Sequence, residues 1–249
     1  MTEPPSAGAG AHSRGLPLQI RLVCATRLDS EAFFREAPLG RSLQFYRTYP
    51  QLQRIELRLF SNNRTGLPAL YNTAISEAAA DPAVLVFVHD DVHLSDFYWA
   101  DRLHEGLRAF DILGLAGNRR RVPGQPTWMH VNRAFEQDSF DNLSGVLGHG
   151  NGFPDLTQLS VYGPPGQQVA LLDGVLLAAR SDTLHRARVQ FDPRFPFHFY
   201  DLDFCRQAEL AGLRMGTWGL SLIHASGGRL GTSEWSATYE EYLRKYGEA

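Results

Sequence analysis

His89, Asp90 and Asp91 follow directly on the apolar run Ala83-Val84-Leu85-Val86-Phe87-Val88. One imidazole and two carboxylates offer the nitrogen and oxygen donors that hold divalent cations, and the same groups move protons near neutral pH. The run that carries them is rich in β-branched and aromatic residues and too short for a buried helix. It predicts a central strand covered on both faces. Ligands of open α/β sheets bind outside the carboxyl ends of the strands, so the triplet stands where chemistry is expected. A structural reading is also open, in which the aspartates only solvate a strand exit and begin a turn.

Three further residues stand at element ends or breaks. Asp201 opens a helical stretch that Gly212 closes, where capping and acid–base work are alternatives for a carboxylate. His224 follows the apolar stretch Leu213 to Ile223 and precedes Gly227-Gly228-Arg229. A histidine there is as readily a core residue as a ligand. Asp173, beside Gly174, interrupts the apolar run Val169 to Arg180. A glycine in such a run marks close approach by a ligand or by backbone.

Alternating elements must position these groups. Leu18 to Ala25 predicts a first strand with the polar exit Thr26-Arg27, and Ser30 to Tyr49 mixes helical periodicity with breaks at Pro38 and Gly40. Ile55 to Phe60 predicts a second strand, and Leu67 to Ala80 a helix facing Leu70, Ala74, Ile75 and Ala78 inward. With the strand at Val84, this strand–helix alternation implies parallel pairing through right-handed crossovers. Phe97 to Phe110 reads as a helix and Ile112 to Gly117 as a fourth strand. From Asn118 to Gln168 the pattern dissolves into a loop-rich insert, with one short strand candidate at Trp128 to Val131. Ser181 is placed to cap a short helix through Ala187, and Glu234 to Tyr246 reads as a closing helix.

Composition excludes several functions. A net charge of -3 and pI near 6.3 leave no electrostatic footprint for nucleic acid. Lys245 is the only lysine, which argues against Schiff-base chemistry. Cys24 and Cys205 stand far apart and fit buried thiols in a reducing compartment. Met1 to Pro17 is rich in Pro, Gly, Ala and Ser, without a basic or an apolar segment, and reads as a disordered tail, not a signal peptide. No stretch approaches the roughly 18 apolar residues of a membrane span. The expectation is a cytoplasmic protein whose residues 18–249 form one α/β domain, with peripheral membrane contact open.

The landmarks, in their order, resemble glycosyltransferase family 2 enzymes of the GT-A fold. The matching pieces are the first strand with its polar exit, Gly66-Leu67-Pro68-Ala69-Leu70-Tyr71-Asn72, Phe87-Val88-His89-Asp90-Asp91, and Tyr200-Asp201-Leu202-Asp203 followed by His224. The resemblance implies a Rossmann-like, mostly parallel central sheet flanked by helices, with 118–168 as a variable acceptor region. It implies metal-dependent, inverting transfer of a sugar from a nucleotide-diphosphate donor, a UDP-sugar first, to a hydroxyl of a glycan or glycoconjugate.

Within that resemblance, Asp91 and His224 match ligands of Mn²⁺ or Mg²⁺ and Asp201 the catalytic base. Ala25, Thr26, Arg27 and Asn62 match the walls of the base and ribose pocket, and Asn72, His89 and Asp90 other donor-side positions. Asp173 is a candidate contact to the donor sugar, and Arg229 a candidate to close over the diphosphate. His89 stands where the family has a first aspartate, and Tyr200 where a glutamate is common. A departing diphosphate needs a hard cation, and an acceptor hydroxyl needs a base within hydrogen-bond reach. Trp128 and His130 are candidates to stack on a sugar or equally to anchor the insert, and Arg119 to Arg121 to bind a phosphate or form a solvated loop. Two rival readings remain: a non-haem iron oxygenase using His89, Asp91 and His224, and a degenerate nucleotide-sugar-binding module.

Overall fold

The computed structural model describes residues 18–46, 55–150, 155–226 and 230–248. The first half alternates as its pattern requires: β1 (Ile20–Ala25), α1 (Ser30–Glu36), α2 (Pro38–Phe45), β2 (Ile55–Phe60), α3 (Leu67–Glu77) and β3 (Val84–Val88). β2 and β3 flank β1 in parallel, with Leu22 opposite Leu57 and Val86. Asp29 caps α1 by accepting from the Ala32 N–H at 2.8 Å. Gly40, expected to break this region, lies inside α2. A Cβ there would stand 2.1 Å from the Phe33 carbonyl oxygen, so glycine lets α2 pack onto α1.

The chain continues through β4 (Val92–Leu94), α4 (Trp99–Ala109), β5 (Ile112–Gly114), β6 (Ala116–Asn118), β7 (Leu143–Gly150), β8 (Leu156–Gly163), β9 (Gln168–Val169), β10 (Leu171–Leu172) and β11 (Leu176–Arg180). It closes with α5 (Ser181–Ala187), α6 (Tyr200–Leu210), β12 (Met215–Thr217), β13 (Leu222–His224) and α7 (Ser233–Tyr246). One sheet has the order β2-β1-β3-β11-β5-β12-β9; a second runs β10-β6-β7-β13-β4, with β8 on β7.

The expectation of a mostly parallel sheet is corrected. β11 is antiparallel to both β3 and β5, and β9 is antiparallel to β12, so the larger sheet is mixed. Only Asp173 to Val175 separate β10 from β11, too few residues for a crossover helix. β11 therefore enters beside the end of β3, Leu176 opposite Val88, and runs back. Three apolar stretches are each divided between the sheets: Ile112 to Gly117, read as one strand, into β5 and β6, Val169 to Arg180 into β9, β10 and β11, and Leu213 to Ile223 into β12 and β13. Apolarity reports burial, and the strand residues on both sides of each crossing are mostly buried, so the pattern does not mark the break.

The segment 118–168 holds the two longest strands, β7 and β8, paired antiparallel. Gly145, Gly148, Gly150 and Gly163 hid them, because glycine weakens every strand signal. The candidate strand at Trp128 to Val131 contributes only the isolated bridge between His130 and Gln137. Ser181 is the first residue of α5 and makes no cap; its hydroxyl accepts from the Ala83 N–H at 3.1 Å.

Hydrophobic clusters cover both faces of the larger sheet. Val23, Leu85 and Phe87 point toward Tyr71, Tyr200 and Phe204, while Leu22, Val86 and Val88 point toward Phe33, Trp99 and Leu103. Cys24 and Cys205 are buried, free thiols. Among the described residues no helix is long and apolar enough to cross a membrane.

Gly145 has φ +107°, and a Cβ there would lie 2.0 Å from the Leu115 carbonyl oxygen across β6 and β7. Gly212, at φ +74°, faces open space. In urea unfolding, Gly145→Ala is expected to cost about 3 kcal/mol or more and Gly212→Ala about 1 kcal/mol. Equal losses would contradict the β6–β7 register.

Candidate active site

His89 to Asp91 form the short link between β3 and β4, at the carboxyl end of the parallel strands. β4 pairs antiparallel with β13, and the register sets His224 opposite Val92. That pairing carries His224 across the sequence to Asp91, and the Ala225 N–H donates to the Asp91 carbonyl at 2.9 Å. His224 Nε2 lies 3.3 Å from Asp91 Oδ1, and His89 Nδ1 lies 3.9 Å from the same oxygen. Asp91 Oδ1 and His224 Nε2 are both buried and make no hydrogen bond. One ligand atom from each of His89, Asp91 and His224 lies within 4.8 Å of the others.

Burial pulls the His224 imidazole down, but contact with Asp91 more than offsets it, so its pKa is raised. Burial pushes the Asp91 carboxyl up, and His224 and His89 reverse this to a net lowering. His89 is lowered, chiefly by burial. Two orphaned buried donor atoms beside a third are a poor arrangement for a metal-free protein and a fitting one for a divalent cation. His89, Asp91 and His224 together could hold such an ion, the set that the oxygenase reading names and that the glycosyltransferase resemblance divides between metal and donor side.

Asp201 begins the first turn of α6, whose preceding residue, Phe199, holds the left-handed φ of 63°. Its oxygens accept from the Leu202 N–H at 2.9 Å and the Gly174 N–H at 3.1 Å. Burial, with the nearby charge of Asp173, pushes its pKa up to about 7. Asp203 has the structural part: fully buried, it pairs with Lys245 and accepts from the Tyr246 hydroxyl at 2.6 Å. Gly174 is approached by α6, not by open space. A Cβ there would meet the Tyr200 hydroxyl at 2.4 Å and the Asp201 Cβ at 2.9 Å.

Asp173 accepts from the Trp128 indole N–H at 3.0 Å and from the Val175 N–H at 3.0 Å. Trp128 thus ties the segment 118–168 to the site through its nitrogen. His89, Asp91, Trp128, Asp173, Asp201 and His224 line one cavity of about 260 Å³. His149 and Phe197 also line it and were not expected. His149 sits on β7 opposite His224, with Nε2 2.9 Å from the Ser160 hydroxyl. Only recognition of the glycine-rich strand would have signalled it.

The remaining expected residues lie elsewhere. Ala25, Thr26 and Arg27 leave β1 beside Asn62, which has φ 52° after β2. The Thr26 hydroxyl donates to Asp90 at 2.6 Å, so Asp90 braces two strand ends and does not line the cavity. Both amide groups of the Asn72 side chain are engaged by the Phe191 main chain, at 2.7 and 2.9 Å. Arg120 pairs with Asp138, and Arg121 with Glu209 and Glu248. His130 contacts the Thr127 hydroxyl and Phe135, anchoring its own segment. Arg229 lies outside the described residues.

No family model and no curated protein matches the chain. Among solved structures it is similar to TarS of S. aureus. Against the crystal structure of TarS 1-349 the identity is 13% and the TM-score 0.45, covering 92% of this chain and 72% of that one. Against a longer TarS crystal structure the identity is 13% and the TM-score 0.46, covering 92% of this chain and 43% of that one.

The raised pKa of Asp201 has a defined sign. The folded state retains a proton that the unfolded chain releases near pH 4, so stability falls as pH rises toward about 7. In metal-free buffer, the wild type is expected to lose on the order of 2 kcal/mol more than Asp201→Asn between pH 5 and 7. Parallel unfolding curves for the two proteins would remove the perturbed carboxyl.

Proposed function

We propose that the protein is a metal-dependent, inverting glycosyltransferase that moves a sugar from a nucleotide-diphosphate donor, a UDP-sugar first, to a hydroxyl of a glycan or glycoconjugate. The observation that carries the reading is one cavity that joins the Asp91–His224 ion pair, whose facing atoms make no hydrogen bond, to a separate carboxylate, Asp201, with a pKa near neutrality. The first resembles a place for a cation against a leaving group, and the second a base for an incoming hydroxyl.

A bound divalent cation would neutralise the charge gathering on the departing diphosphate. Asp91 and His224 would hold it, with Mn²⁺ favoured over Mg²⁺ by the nitrogen ligands. Asp201 would take the proton of the acceptor hydroxyl, since a base with a pKa of about 7 is partly ionised and strong enough at neutral pH. Its two backbone N–H bonds fix the direction of the remaining lone pairs. Asp173, held by Trp128 and Val175, keeps a carboxylate in the cavity wall and raises the basicity of Asp201. With one base and no covalent nucleophile in this scheme, displacement inverts the anomeric carbon. Ala25 to Arg27 and Asn62, grouped at the ends of β1 and β2, are the proposed wall for the nucleotide.

The trio His89, Asp91 and His224 favours one other reading, because two histidines and a carboxylate also hold non-haem iron. Oxygen uptake that depends on Fe²⁺ and a 2-oxo acid would establish it.

In thermal-shift screening of UDP-, GDP- and dTDP-sugars, one donor is expected to stabilise the wild type only with Mn²⁺ present. Asp91→Ala is expected to abolish that shift; an unchanged shift would reject the ligand assignment. Asp201→Asn is expected to keep donor binding and lose transfer about 10²- to 10⁴-fold. Tight binding without transfer by the wild type would leave a nucleotide-sugar-binding module.

A further inference from the structure

His89 and Tyr200 are the two residues that depart from the resemblance, and they touch each other. His89 Nε2 lies 2.8 Å from the Tyr200 hydroxyl, which lies 2.8 Å from the Gly174 carbonyl oxygen. A phenol carries one proton, and a carbonyl oxygen can only accept. Both contacts are satisfied in one arrangement: Tyr200 donates to Gly174, and His89 donates from Nε2 to Tyr200. The other ring nitrogen, Nδ1, then carries a lone pair. It faces Asp91 Oδ1 at 3.9 Å, too far for a hydrogen bond even if the nitrogen were protonated. Phe197, stacked at 6.3 Å between ring centroids and 22° between planes, steadies the imidazole from its face.

We propose that Tyr200 is a positioning residue that fixes His89 as the Nε2–H tautomer and presents Nδ1 as a third metal ligand beside Asp91 and His224. The inference rests on the metal reading above and makes it narrower. An imidazole whose second nitrogen donates to a fixed acceptor is the usual state of a metal-bound histidine, and that outer contact sets ring orientation and basicity. Two imidazole nitrogens and one carboxylate oxygen suit Mn²⁺, Fe²⁺, Co²⁺ or Zn²⁺. Mg²⁺ prefers an octahedron of oxygens. The exchange of an aspartate for His89 is thus matched by a tyrosine where a glutamate is common. The tyrosine supplies a neutral acceptor to His89. Gly174 completes the device, since any side chain there would collide with the phenol.

The test uses the full-length, metal-free protein with MnCl₂ and MgCl₂ as the only probes. Histidine ¹⁵N spectra of the wild type, with His89 assigned by its loss in His89→Ala, are expected to show Nε2–H at His89. In calorimetric titration, Tyr200→Phe is expected to reduce the preference for Mn²⁺ over Mg²⁺ about 10- to 100-fold. His89→Ala is expected to reduce it at least as far. Wild-type His89 protonated at Nδ1, or a folded Tyr200→Phe with unaltered preference, would overturn this inference and leave Asp91 and His224 as ligands. Should Tyr200→Phe not fold, the wild-type spectrum and the His89→Ala titration decide. A wild type that binds neither ion would overturn the metal reading with it.

Discussion

The site depends on one contact, the seating of the first turn of α6 against Gly174. From that glycine the carbonyl accepts from Tyr200, and the N–H donates to Asp201. No Cβ intervenes, so helix and strand link approach more closely than side chains would allow. Through Tyr200 the contact reaches His89, and through Asp201 it reaches the proposed base. The two functions proposed for the cavity therefore share one mechanical support. Asp173, the preceding residue, extends that support to Trp128 and the segment 118–168.

One of the crossings between the two sheets lies at the same joint. β10 ends in the smaller sheet and β11 begins in the larger, with Asp173 and Gly174 between them. Asp91 stands at the corresponding exit from β3 toward β4, and His224 at the end of β13. The cavity opens where strands pass from one sheet to the other. At such places side chains from distant segments meet, because no ladder fills the gap.

A cluster of three carboxylates and four histidines in one cavity is a costly arrangement for folding. The structure meets that cost unevenly. Asp173 has two N–H donors, and Asp201 has two backbone N–H groups, yet the latter is still raised to about 7. Asp91 and His224 face each other as an ion pair with each contact atom lacking a hydrogen bond. Structural carboxylates elsewhere are better served: Asp138, with Arg120, Asn118 and Asn142 around it, lies well below the usual carboxylate range. The contrast marks the cavity as the candidate functional site.

By itself the sequence determined the alternating first half, the burial of Val84 to Val88, and the identity of Asp91, Asp201 and His224 as residues at element ends. Those features are local: periodicity, strand-forming runs and helix signals act over a few neighbours. Only the tertiary structure decided that β11 runs antiparallel, that continuous apolar runs divide between sheets, and that β7 and β8 exist within a glycine-rich segment. It alone turned Asn72 and Asp90 into braces, brought His224 to Asp91, and placed Tyr200 against His89. Strand direction, sheet membership and side-chain partners depend on contacts between residues distant along the chain, and no local preference encodes them.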